Sequence, residues 1–217
     1  MTRKVYLEQC ERLELQATVV SILEEQGTES VVLDQTVFHP QGGGQKGDRG
    51  SIGDVQVTDT RHGEGGEVLH IVPSAATLRE GQVVQLMVDP AWRRLNSRLH
   101  SGGHLIAALV EQSLPGLRAT SGHHWPGEAR VAFEGSVQHD VESLVDDLNE
   151  AIRAALMRDE PIRVLGDPQV SRQIQVGGFA PVGCGGTHVA SLAALESLRI
   201  TRVSKKGGAL RVSYTLD

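Results

Sequence analysis

The chain has 217 residues, of which 39% are hydrophobic and 22% charged, which is ordinary for a globular protein of one or two domains. Its net charge of −6 argues against a uniformly basic nucleic-acid-binding surface but still allows a local basic patch. It has no apolar run long enough for a membrane helix, and its two cysteines are too few for a disulfide scaffold. We therefore expect a cytoplasmic protein with no membrane partner.

The first part of the chain has the alternating pattern and the turn signals of short strands. Strands are predicted at 15–23, 29–37, 51–60, 67–72 and 82–88, with glycine-containing turns between them. This all-β pattern predicts a small β-barrel domain over residues 1–88.

The pattern changes at Asp89, where a long helix is predicted to begin. Asp89 supplies a helix cap, Pro90 suits the first helical position, and apolar residues then recur at helical spacing. The predicted elements that follow are a strand near 129–134, a second helix near 138–158 and a hairpin over 198–216 with its turn at 205–208. Residues 89–217 are thus predicted to form an α+β domain, and the chain as a whole an α+β fold.

Two pairs of metal-ligand residues stand about eighty positions apart. His100 and His104 are four residues apart on the predicted helix and project from one face, whereas Cys184 and His188 lie in a glycine-rich loop. One thiolate and three imidazoles form a ligand set that suits tetrahedral Zn²⁺, so we predict one zinc ion per chain. From spacing alone, a purely structural zinc remains an alternative, because closed four-ligand sites are usually structural.

Two glycines separate the helix histidines. Gly102 and Gly103 each cost about 1 kcal/mol relative to alanine in a helix interior. Their presence predicts the close approach of a ligand or a packed loop at this point of the helix.

A second glycine-rich segment spans residues 38–48. It has no Gly-Lys-Ser/Thr ending, so a phosphate loop, an ATP site and any other nucleotide cofactor are not expected. Three consecutive glycines, 42–44, allow backbone at positive φ and close contact with another surface. A tight irregular turn is the alternative that the residues by themselves leave open.

Basic side chains cluster at two places in the sequence, beside the helix histidines and near the C-terminus. Arg93, Arg94 and Arg98 precede or adjoin the helix histidines, and Lys205 and Lys206 lie at the predicted hairpin turn. They are candidates for an RNA-binding patch. A solvated charged face is the alternative.

Three motifs in this order resemble the editing domain of alanyl-tRNA synthetases and its free-standing relatives, the AlaX proteins of medium length. They are Phe-x-Pro-x-Gly-Gly-Gly-Gln-x-x-Asp at 38–48, His-x-x-x-His at 100–104 and Cys-Gly-Gly-Thr-His at 184–188. The resemblance implies a β-barrel domain over 1–88 that carries the glycine-rich motif and a zinc-bearing editing domain over 89–217. It implies zinc ligation by His100, His104, Cys184 and His188, and hydrolysis of tRNA for alanine that is mischarged with serine or, in some members, glycine.

The resemblance and the chemistry together suggest further site residues. Backbone amides of Gly185 and Gly186 are candidate oxyanion donors, because a glycine-rich turn can direct consecutive amides at one point. Candidate substrate-binding residues are Thr120, Ser121, Thr187, Gly43, Gly44 and Gln45. The neighbouring His123 and His124 are, from the residues alone, expected at the surface.

Two alternative functions stay open from the sequence. One is a non-catalytic tRNA-binding module with a structural zinc. The other is an editing hydrolase for a different mischarged tRNA, of the threonyl type.

Overall fold

The computed structural model describes residues 1–136, 143–206 and 209–216. By their contacts the residues fall into two compact units. The first comprises Met1–Gly42, Lys46–Arg94 and Gly185–Thr187, and the second comprises Gly43–Gln45, Leu95–Cys184 and His188–Asp217.

The first unit contains nine strands, most of them short. They are β1 (Arg3–Lys4), β2 (Glu14–Glu25), β3 (Thr28–Leu33), β4 (Gln35–Thr36), β5 (Gly50–Ile52), β6 (Val55–Val57), β7 (Asp59–His62), β8 (Val68–Val72) and β9 (Val83–Val88). A 3₁₀ turn covers Val5–Leu7. Strands β1 and β4 pair in parallel, and the other seven form one antiparallel sheet in the order β6-β5-β9-β2-β3-β8-β7.

The long strand β2 joins the two halves of this sheet. Residues Glu14–Thr18 pair with β9, and the pairing with β3 starts at Val19, with a register shift between Val19 and Ser21. The sheet thus bends around β2, and its apolar inner face includes Val31 and Leu86, which pack in one core with Phe38.

This arrangement corrects the barrel prediction. Among the described residues the sheet has two edges, β6 and β7, and no ladder joins them. These two strands follow one another in the chain with only Thr58 between them, and they pair on opposite sides, β6 with β5 and β7 with β8. The predicted strands are therefore present, but a closed barrel is not confirmed.

The second unit contains most of the longer helix α1 (Pro90–Ser113), together with α2 (Ser143–Arg158). Its strands are β10 (Arg118–His123), β11 (Arg130–Glu134), β12 (Ile162–Leu165), β13 (Gln173–Val176), β14 (Val182–Gly183), β15 (Arg199–Lys206) and β16 (Ala209–Thr215). They form a four-stranded antiparallel sheet in the order β10-β11-β16-β15 and a three-stranded sheet in the order β12-β13-β14. A 3₁₀ turn covers Leu192–Leu195.

The helix start was predicted correctly. Asp89 caps α1, because its Oδ1 accepts hydrogen bonds from the backbone amides of Ala91 and Trp92 at 2.9 and 3.0 Å. The predicted hairpin is confirmed by the pairing of β15 with β16, although Gly207 and Gly208 of its turn lie outside the described residues. Residues 138–142, where α2 was predicted to begin, also lie outside them.

The core of the second unit is aliphatic. Helices α1 and α2 contribute Ile106, Val110 and Ile152, and the sheet contributes Phe133 and Val212, all of them nearly inaccessible to solvent. Neither helix that the structure describes is long and apolar enough to span a bilayer.

Candidate metal centre

Four side chains of the second unit converge on one point. Each of His100, His104, Cys184 and His188 offers one ligand atom, and these atoms lie within 4.8 Å of one another. The Cys184 Sγ is 3.5 Å from His100 Nε2 and 3.3 Å from His188 Nε2. A tetrahedral ion with bonds of about 2.0–2.3 Å to nitrogen and sulfur would hold its ligands about 3.3–3.7 Å apart, so these separations suit a bound metal.

Two of the imidazoles are oriented through their second nitrogen. The His100 Nδ1 lies 2.7 Å from Oε1 of Gln45, an acceptor, so Nδ1 carries the proton and Nε2 keeps its lone pair. The His188 Nδ1 lies 3.1 Å from Oγ of Ser101, which also accepts a hydrogen bond from the Val189 amide. Outer partners of this kind fix the tautomer and the ring orientation of metal-binding histidines.

The third imidazole has an unused buried nitrogen. The Nε2 of His104 has no hydrogen-bond partner within the part of the chain that the structure describes. Burial, assisted by the positive charge of Arg172, lowers the pKa of His104 to about 4, so the ring is neutral near pH 7. A buried lone pair with no partner is costly, whereas a metal ion would use it, so the residues present fit a metal.

The glycine-rich segment supplies more than Gln45. The Gly44 carbonyl accepts a hydrogen bond of 2.8 Å from the His124 amide. Gly44 has a φ of +79°, and a Cβ at this position would lie 2.3 Å from the carbonyl oxygen of Gly122. The close contact expected of this segment is therefore present between Gly44 and Gly122, where no side chain larger than hydrogen would fit.

The structure corrects the expected surface position of His124, which is only 5% exposed. Its ring is stacked 4.8 Å from the ring of His100. Burial, with smaller effects of His104 and His123, lowers the pKa of His124 to about 3. Sequence reasoning missed this residue, and the signal available was Gly103, because a Cβ there would lie 2.2 Å from His124 Cε1.

The tautomer of His124 follows from its partner. Its Nδ1 lies 2.6 Å from the hydroxyl of Tyr214, which donates its only proton to the Leu99 carbonyl at 2.8 Å. The Nδ1 must therefore donate to the Tyr214 oxygen. The His124 Nε2 is therefore left with a lone pair.

The predicted substrate-binding residues on β10 do not lie beside His124. Thr120 is at the register shift of the strand and its hydroxyl donates to the Ala132 carbonyl at 3.3 Å. Ser121 is exposed and directly precedes Gly122, which pairs with the buried Val131. Because successive strand residues face opposite sides, Ser121 points away from the face on which Gly122 approaches His124.

The remaining candidates lie in the loop before His188. Thr187 is fully buried, Gly186 is buried and Gly185 is exposed. Their roles as substrate contact and oxyanion donors stay predictions.

Two of the five predicted RNA-binding cations, Arg93 and Arg98, are engaged in contacts within the protein. Arg93 is 4% exposed and its guanidinium pairs with the buried Asp48, so it cannot present its charge to RNA. Arg98 donates to the Ala194 carbonyl at 2.7 Å and to Ser197 Oγ at 3.2 Å. Arg94 is exposed. Lys205 is also exposed, and the side chain of Lys206 lies outside the described part of the structure.

Comparison with known proteins gives consistent relatives. Residues 7–92 match the family model of class II (A) tRNA synthetases. The alanyl-tRNA editing protein AlaX-M of Pyrococcus horikoshii is 28% identical over 100% of this chain and 99% of its own length. AlaX-L of the same organism is 30% identical over 99% of this chain, which spans only 58% of that longer protein.

An alanine–tRNA ligase is also among the similar proteins. The alanine–tRNA ligase of Frankia alni is 35% identical over 84% of this chain, which corresponds to 23% of the ligase. The motif resemblance and the full-length relatives agree, and the chain is therefore a homologue of the AlaX alanyl-tRNA editing proteins.

Proposed function

We propose that this chain is a trans-editing hydrolase that deacylates mischarged tRNA for alanine. Seryl-tRNA is the chief substrate of the proposal, and glycyl-tRNA is a second candidate. The observation that carries it is the convergence of four metal-ligand atoms within 4.8 Å in a homologue of alanyl-tRNA editing proteins. The proposed metal is one Zn²⁺ per chain, because one thiolate with three imidazoles suits that ion.

The four ligand residues would hold the ion, and the residues around them would complete the site. When bound, zinc supplies Lewis acidity toward an ester carbonyl and lowers the pKa of a water molecule. Gln45 and Ser101 hold His100 and His188 in the ligating orientation. The backbone amides of Gly185 and Gly186 are the proposed donors to the oxyanion that develops as the ester is attacked.

Selection of serine follows from hydrogen bonding. A site that pairs with a substrate hydroxyl strongly disfavours the analogue that lacks it, which makes removal of serine while sparing alanine chemically feasible. Thr120, Ser121 and Thr187 remain the proposed hydroxyl readers. His124 joins them, because its Nε2 keeps a lone pair beside the His100 ring.

The test is deacylation of three substrates, the seryl, glycyl and alanyl esters of tRNA for alanine. We expect the zinc-loaded protein to release serine rapidly and to spare alanine. Removal of the metal, or the substitution Cys184→Ala, should abolish release of serine, because ligand count and geometry set metal affinity.

Each negative outcome separates the alternatives. Binding of tRNA without release of any amino acid would favour a non-catalytic module. Release of serine from metal-free protein would leave a structural zinc as the remaining role of the cluster. Full zinc occupancy in the Cys184→Ala variant would contradict the four-ligand site.

A further inference from the structure

One side of the four-stranded sheet carries a concentration of positive charge. A cavity of about 540 Å³ opens there, between strands β11, β15 and β16 and the segment 127–129. Its lining includes the cations Arg130, Arg202, Lys205 and Arg211. Within the described lining the single acidic residue is Glu128. This local excess of positive charge contrasts with the net charge of −6 for the chain.

The strand register explains why the three arginines share a face. Arg130 pairs with Ser213, which in turn pairs with Arg202, and in the next row Arg211 pairs with Ser204. Neighbouring strands lie about 4.8 Å apart, so the three arginines occupy adjacent positions on one surface. The alternate residues of the same strands, which include Val131, Phe133 and Val212, are buried in the core on the other face.

Two of these arginines have no partner in the part of the chain that the structure describes. Arg202 and Arg211 form no ion pair or hydrogen bond with the residues that the structure describes. The Arg130 guanidinium donates to a backbone carbonyl, that of Glu128, at 3.0 Å. The Glu128 carboxylate lies 3.4 Å from His123 Nε2.

An unbalanced cluster of this kind has a cost. Like charges on adjacent strands destabilise a sheet, and a merely solvated surface normally intersperses both signs. Polyanion binding would remove the repulsion and release counterions from the nucleic acid. Guanidinium groups suit this role because they bind phosphate in a bidentate manner.

We infer that this cavity is a docking site for backbone phosphates of the tRNA substrate. The inference rests on the proposed function and assigns the RNA contact to Arg130, Arg202 and Arg211 in place of the buried Arg93. Ser204 and Ser213 supply hydroxyl donors beside them, of the kind that commonly bind phosphate oxygens. Tyr214 also contributes to the lining, but its side chain is buried on the core face of β16, where its hydroxyl bonds His124.

The test is equilibrium binding of uncharged tRNA for alanine at several KCl concentrations. The variant is the double substitution Arg202→Gln and Arg211→Gln. The matched control is Arg153→Gln with Arg163→Gln, which removes the same charge from exposed positions on α2 and β12 of the same unit.

We expect the control to bind like the parent. In the variant the slope of log K against log salt should decrease by about two, since each lost phosphate contact reduces it by about one. Metal content and melting temperature should match the parent. Unchanged affinity and salt slope in the variant, or equal losses in the control, would overturn the inference.

Because the probe carries no amino acid, this experiment is independent of catalysis. A parent protein that binds tRNA through Arg202 and Arg211 but releases no serine would retain the docking site and refute the proposed function. A variant that binds tRNA like the parent, in a protein that does release serine, would refute the docking site alone.

Discussion

Two rings of the candidate metal cluster, those of His100 and His188, are each oriented by one hydrogen bond from the protein. Gln45 is fully buried, and its Oε1 is the acceptor for His100 Nδ1. We expect Gln45→Met, which keeps the length of the side chain but removes the acceptor, to weaken metal affinity about 10–100-fold. The reason is that the His100 ring loses the partner that fixes its tautomer. Competition with a chromophoric chelator measures the affinity.

The glycine-rich segment offers a control for this change. Gln41 is exposed, so Gln41→Met adds the same side chain without touching a ligand ring. Its metal affinity should equal that of the parent. Equal affinities for all three proteins would show that Gln45 does not orient His100.

The four clustered residues could be predicted from sequence because the signal of each pair is local. Spacing alone placed His100 and His104 on one helix face, and the glycines placed Cys184 and His188 in a loop. Burial of His124 and the pairing of Arg93 with Asp48 depend on partners far away in the chain. An arginine or histidine next to a site looks the same in sequence whether it faces solvent or a buried partner.

Among the elements, helix α1 is fitted closely to its neighbours at its two glycines. An added Cβ at Gly103 would lie 2.2 Å from His124 Cε1 and 2.9 Å from the Tyr214 hydroxyl. At Gly102 the nearest atom is a terminal methyl of Leu198 at 2.9 Å, which can move. We therefore expect Gly103→Ala to destabilise the protein and to impair hydrolysis, despite a gain in helix propensity of about 1 kcal/mol.

Gly102→Ala is the matched control, because it brings the same gain in helix propensity. Gly102→Ala should lower the free energy of unfolding much less than Gly103→Ala, or should raise it. Chemical denaturation of both variants gives the comparison. If Gly103→Ala proved as stable and as active as Gly102→Ala, the close packing of α1 against His124 would not be required for stability or hydrolysis.

Helices and strands with a strong periodic pattern could be predicted from the sequence. The order in which the strands pair in each sheet could not. The cap at Asp89 and the apolar spacing located the start of α1, and the final hairpin was predicted from the turn residues at 205–208. The short strands β12, β13 and β14 have too few residues to show a pattern. The order of the first sheet depends on pairings between distant strands, such as β2 with β9 and β3 with β8, which no segment encodes by itself.

For the whole molecule, buried histidines make stability depend on pH. His70 is fully buried, donates from Nδ1 to the Val31 carbonyl and accepts at Nε2 from Thr36, both at 2.8 Å. Burial lowers its pKa to about 4, against 6.5 in the unfolded chain. Between pH 6.5 and about 4 the unfolded state therefore holds a proton that the folded state lacks. This stabilisation is complete above pH 6.5 and declines as the pH falls.

Substitution of His70 by Gln, which can still donate and accept, should remove this contribution. The pH dependence of the free energy of unfolding should become shallower by about 1.4 kcal/mol per pH unit in this window. His62→Gln, at an exposed position, should retain most of the parent slope. Identical slopes for the parent and His70→Gln, from urea titrations at several pH values, would contradict the assignment.

The distance along the chain between the two ligand pairs has a consequence for the life of the protein in the cell. Position 104 and position 184 are 80 residues apart, so an ion held by both pairs closes a large loop, like a removable crosslink. By analogy with disulfides, closing a loop of that length is worth on the order of 4 kcal/mol of chain entropy, a large part of the stability of a typical domain. If the cluster takes its metal as proposed, metal starvation would lower the amount of folded protein through proteolysis before it limited the activity of the remainder.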